Sequence, residues 1–158
     1  MGTSSFLLFK TGESISAKEL LNSIHNVCVQ ENLFFDSDED TYNNEGILKY
    51  ARVYISDAPF RENYSRTLCF SVYDEPYEYQ IVSFEWDDAG HEYFKAVVSD
   101  DFYDNEDLLL QLSRAMLKIY PDSKIWIEEE WFYTLDDIEK IADMSHNDWC
   151  YKNPEITN

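Results

Sequence analysis

Apolar positions along this chain follow two rhythms: some recur every three to four residues and others alternate every two. These are the spacings of a helix face and of a strand with one covered side. The clearest helical stretch follows Asp104, the expected N-cap. Leu108, Leu109, Leu112, Ala115, Met116 and Ile119 recur on one stripe, with Glu106 and Asp107 in the first turn, where the helix dipole favours negative charge. Lys118 lies near the opposite end, and Pro121 stops the pattern. An earlier helix starts at Ser16, which forms a capping box with Glu19. It continues through Leu20, Leu21, Ile24, Val27 and Cys28. A short third helix is predicted from Thr134 to about Ala142, burying Leu135, Ile138 and Ile141.

Phe6, Leu7, Leu8 and Phe9 read as a first strand. Residues 47–55 set Ile47, Ala51, Val53 and Ile55 on one side against Leu48, Tyr50 and Tyr54. Residues 67–73 turn Leu68, Phe70 and Val72 inward, and 78–86 do the same with Val82, Phe84 and Trp86. After turn chemistry at 87–90, residues 92–98 return with Phe94, Ala96 and Val98. Residues 124–128 place Ile125 and Ile127 opposite Trp126. The order is strand, helix, a run of strands, helix, strand, helix. It predicts an α+β fold: a mostly antiparallel sheet of about five to six strands with two to three helices packed on one face. A chain of 158 residues fits one domain spanning 1–158. Residues 146–158 are expected as a loosely ordered tail, with Trp149 and Cys150 able to tuck back.

Charge changes the picture more than overall composition does. Thirty-two acidic residues against 12 basic ones leave a net charge of −20. Such a surface concentrates cationic partners and argues against nucleic acid, whose phosphates require Lys and Arg, and against anionic lipid. The 57–66 segment, with Arg61 and Arg66, is the one locally basic patch and is too small for a nucleic-acid footprint. Cys28, Cys69 and Cys150 are odd in number and in no CxxC pair, which fits free thiols in a reducing compartment. With neither a secretion signal nor an apolar run of membrane-spanning length in the sequence, the expected location is cytoplasmic.

Familiar chemistries fail at the motif level. Four scattered glycines cannot build a phosphate-cradling loop, and no Ser is flanked by glycines. His25, His91 and His146 share no metal-ligand spacing. Asp36, Asp38 and Asp40 open like a calcium loop, but Thr41 stands where Gly is needed and Ile47 where a bidentate Glu is needed. Residues 36–46 are therefore expected as a solvated acidic loop. No catalytic residue, metal site or cofactor is assigned. Carboxylate pairs such as Glu85 with Asp87 or Glu128 with Glu130 keep a carboxylate-based enzyme or metal-dependent protein open as an alternative. Among 32 acids such pairs arise by chance.

More distinctive is the interleaving of acids with rings. It occurs at Trp86, Asp87 and Asp88, at Asp100, Asp101, Tyr103 and Asp104, and at Glu128, Glu129, Glu130 and Trp131. Rings supply buried anchor area at an interface, and carboxylates steer a basic partner into register. In acidity, size and lack of catalytic motifs the chain resembles the small immunity proteins and inhibitors that bacteria keep against their own nuclease toxins. The resemblance is one of overall character, with no motif that aligns. It implies a non-enzymatic module that sequesters or inhibits a basic protein partner, with the eleven residues just named as the candidate binding face.

Overall fold

The computed structural model of the chain describes residues 2–60, 66–142, 149–151 and 153–154. Its elements run β1 (Phe6–Lys10), α1 (Ala17–Gln30), β2 (Phe34–Tyr42), β3 (Leu48–Ser56), β4 (Thr67–Tyr73), β5 (Ile81–Ser83), β6 (Glu92–Ser99), α2 (Glu106–Ile119), β7 (Lys124–Trp126), β8 (Phe132–Tyr133) and α3 (Leu135–Ala142). A 3-10 turn follows at Trp149–Tyr151. The fold is α+β, as the alternation of periods predicts, with more strands than the five to six expected. All strands belong to one antiparallel sheet in the order β2-β3-β4-β6-β1-β7-β8. β1 pairs along one flank of β6, and β5 continues the line of β4 along the other.

The two additional strands come from segments of weak sequence signal. The acidic stretch after Leu33 is β2, an edge strand, and not the solvated loop expected from its aspartates. Alternation accounts for this: Phe35, Ser37 and Glu39 are half-buried on the α1 side, while Asp36 and Asp38 point to solvent. Aspartate is a poor strand former, but an edge strand with one wet face tolerates it. β8 is only two residues long. The predicted 78–86 strand contracts to β5, because Tyr79 takes a positive φ of 67° and Asp87 N–H donates to the Phe84 carbonyl. Phe84 and Trp86 thereby leave the ladder.

Two register shifts decide which residues face inward. In β6 the pairing to β1 skips a residue at Ala96, so Val97 rather than Val98 joins the core. At the start of β3 a shift opposite Thr41 and Tyr42 buries Leu48 and leaves Ile47 45% exposed, the reverse of strict alternation. The α2 N-cap is Asn105, not Asp104, which sits one residue earlier at φ 68°. Ile119, expected on the buried stripe, is exposed.

The helices cover one face. Leu20, Leu21, Ile24, Leu109, Leu112 and Met116 join Leu7, Val53, Phe70, Val72 and Phe94 in a single core. Ser16 caps α1 through its hydroxyl, which accepts the Glu19 N–H at 3.2 Å, and Cys28 lies in the core. Burial pushes the Cys28 thiol up to about 12, so it packs as an inert apolar side chain. Trp149 and Cys150 are fully enclosed, so this part of the expected tail is anchored; residues 143–148, 152 and 155–158 lie outside the described residues. Among the described residues no helix is long and apolar enough to cross a membrane.

Candidate partner-binding face

On the sheet face away from the helices, Phe6, Leu8, Tyr93, Trp126 and Phe132 share one side of four neighbouring strands. The β5–β6 connection folds over them. Phe84 stacks within 4.7 Å of Trp126 and 4.8 Å of Trp86, and Trp86 lies 4.7 Å from Phe132. This second aromatic core positions the acidic loop that follows. The Asp87 carboxylate accepts the Tyr93 hydroxyl at 3.2 Å and the Ala89 N–H at 3.3 Å, and Gly90 closes the turn at φ 65°. Burial, and then the neighbouring Asp87 carboxylate, push the Tyr93 hydroxyl up to about 12. It therefore remains a hydrogen-bond donor across the physiological range.

The turn between β7 and β8 carries the second cluster. Glu128 adopts φ 57°, and its carboxylate accepts the Ser4 N–H at 3.1 Å. The Glu129 carbonyl accepts the Trp126 indole N–H at 2.7 Å. Glu128, Glu129 and Glu130 are all exposed at this corner. The turn is held by the Glu128 carboxylate and the Trp126 indole, and Glu129 and Glu130 are not needed to hold it.

Together the two segments line a half-open recess of about 430 Å³. Trp86, Asp87 and Asp88 contribute from one side, Glu130, Trp131 and Phe132 from the other, with Lys124 and Asp137 among the remaining wall. The Lys124 ammonium sits 4.8 Å from the Phe132 ring centre and 5.8 Å from that of Tyr93, with no carboxylate in ion-pair range among the described residues. Asp137 is occupied locally, accepting both the N–H and hydroxyl of Thr134 at the start of α3. The Trp131 indole N–H is buried and has no acceptor among the described residues. Asp88 and Glu130 are left as its exposed carboxylates, free of ion pairs with the described residues.

The third predicted cluster lies elsewhere, at the β6–α2 connection. Asp100 is ion-paired with Arg52, so much of its charge is neutralised internally. The Asp101 carboxylate accepts the Tyr103 N–H at 3.1 Å, while the Tyr103 ring is 77% exposed. Asp104 is exposed at its left-handed turn. None of these four residues lines the recess, and of the β7–β8 turn acids Glu128 and Glu129 do not line it either. Sequence reasoning missed Lys124, Phe132, Asp137 and the residues Asn153 and Pro154 that complete the rim. Alternation with Trp126 could have placed Lys124 on this side, and Phe132 continues the acid-and-ring run that ends in Trp131; nothing local announces the other three.

Among the described residues no three His, Cys, Asp or Glu side chains converge to hold a metal ion. The carboxyl groups among the described residues with clearly displaced pKa values, Glu39, Asp57, Asp107 and Glu139, are all held below the usual range by Lys or Arg partners. None is poised as a proton donor near neutrality. Family models, curated proteins and solved structures alike return no match to this chain.

Proposed function

We propose that the protein is a non-enzymatic binding module that sequesters a basic protein partner in the cytoplasm. A nuclease-type toxin, held in the manner of an immunity protein, is the kind of partner it fits. The observation that carries this reading is the convergence of two acid-and-ring clusters, more than 40 residues apart in sequence, around one recess. Trp86, Trp131 and Phe132 offer half-buried ring surface that can be fully buried by a guest. Asp88 and Glu130 form an exposed acidic rim that accelerates encounter with a cationic surface. The net charge of −20 supports the same direction of steering.

The test is capture from host lysate at low salt, identification of the bound protein, and titration calorimetry of the purified pair. A single saturable partner of basic character is expected. Asp88→Lys with Glu130→Lys should weaken it on the order of tenfold or more and flatten its salt dependence. Trp131→Ala should accelerate dissociation. Absence of any saturable basic partner, or equal binding by the doubly reversed variant, overturns the reading.

A further inference from the structure

The sheet has two edges of very different character. β8 is two residues long and leads directly into α3. β2 is nine residues long, contains no proline, and pairs only with β3, so its other row of backbone N–H and C=O groups has no strand partner among the described residues. Its pairing is regular from Phe34 through Asp38 before the register shifts near Thr41. This regular part is held rigidly from behind, where Phe35 stacks on His25 at 4.5 Å and Glu39 pairs with Lys18 at 2.9 Å. On the outward face Asp36 and Asp38 are exposed and without ion pairs to the described residues; Asp38 accepts the Tyr54 hydroxyl at 3.2 Å and lies across the ladder from Arg52, which is itself paired with Asp100, and Phe34 is 43% exposed.

We infer that the Phe34–Asp38 edge accepts an extended lysine- or arginine-rich segment of another protein by strand addition. Main-chain hydrogen bonds to the free edge would supply affinity. Basic side chains at alternate positions would meet Asp36 and Asp38, and the aliphatic stem of the next would lie over Phe34. A second copy of this chain is excluded as occupant by charge, because two such strands would oppose carboxylate to carboxylate. The same aspartates that block self-pairing therefore select a basic guest. This edge is at the opposite end of the sheet from the recess, and the inference stands whether or not the recess binds a partner.

The probe is a synthetic ten-residue peptide alternating lysine and valine, compared with the same peptide N-methylated at every residue. N-methylation keeps the charge and removes the donors that a strand ladder needs. The unmodified peptide should bind and slow amide hydrogen exchange at 34–38, with about a tenfold or greater loss of affinity on N-methylation, equivalent to about 1.4 kcal/mol. Asp36→Asn with Asp38→Asn, which keeps an acceptor for the Tyr54 hydroxyl and sets no second cation opposite Arg52, should weaken binding about tenfold or more while the thermal melt is retained. Asp88→Lys with Glu130→Lys should leave it unchanged. No detectable binding, equal binding of the N-methylated peptide, or protection confined to other segments overturns the inference.

Discussion

Asp74, at the end of β4, is 7% exposed, and its two oxygens serve two elements. One accepts the Ala17 N–H at 2.8 Å, at the positive end of the α1 dipole, and the other accepts the Lys49 ammonium at 2.9 Å. Its neighbour Glu75 accepts the Gly12 and Ile15 N–H groups at 2.9 and 3.1 Å. Two adjacent carboxylates thus fix the whole β1–α1 connection. Asp74→Ala leaves a helix-terminal donor and a half-buried ammonium unmatched, and should cost about 2–3 kcal/mol in urea denaturation. Asp74→Asn, which keeps the acceptor for Ala17, should cost less. Nothing in the sequence marks Asp74 out from the other acids, because its burial is decided by strands and a helix far apart in the chain. The Cys28 stripe and Ser16 cap were legible because both are fixed within four residues.

Arg66 gives a second residue-scale consequence. Its guanidinium reaches Asp57 at 2.9 Å and Asp107 at 2.8 Å, and holds both carboxyls below their usual range. A carboxyl depressed in the folded state stabilises the fold above its unfolded pKa, about 4, and loses that contribution as pH falls through the folded value. All three side chains are a third or more exposed, so the whole effect is at most about 1 kcal/mol. Melts of Arg66→Ala and the parent should differ slightly at pH 7 and converge below about pH 3.

At the scale of elements, α1, α2, α3 and the central strands follow from periodicity, and the departures have physical causes. A bulge at Ala96 changes the phase of β6, and a strand cannot announce such a shift in its own alternation. β2 was hidden by aspartates that an edge strand can carry, and the Phe84 turn by rings that stack out of the ladder. The 3-10 turn at Trp149–Tyr151 is the least legible element and among the most consequential. The Trp149 indole N–H donates to the Glu106 carbonyl at 2.8 Å, its own carbonyl accepts the Tyr133 hydroxyl at 3.2 Å, and its ring is 2% exposed. It clamps the start of α2 to β8. Trp149→Ala should cost about 3–5 kcal/mol, lowering the calorimetric melting temperature on the order of 10 °C.

At the scale of the molecule, 12 basic side chains can neutralise at most 12 of the 32 carboxylate charges, so self-repulsion outweighs the ion pairs that salt also weakens. Raising salt from about 0.01 M to about 0.5 M shortens the screening length several-fold and should raise the melting temperature by a few degrees. A fall would mean that the ion pairs dominate. The acid-and-ring pattern identified the two segments that line the recess, but it could not say that Asp100 is taken by Arg52 or that Lys124 sits among the rings. Those facts depend on which strands become neighbours.

The central place of β1 has a consequence for how the chain reaches this state. Leu7 pairs with Val97 on one side and Ile125 on the other, so neither neighbour exists when β1 emerges from the ribosome. The middle of the sheet closes only by joining the chain's beginning to segments far downstream. Contacts of such long sequence separation slow folding, because the intervening chain loses its freedom before the pairing rewards it. Until then β3 and β4 can form a hairpin-like unit alone, while Phe6, Leu7, Leu8 and Phe9 remain an apolar strand awaiting its slot.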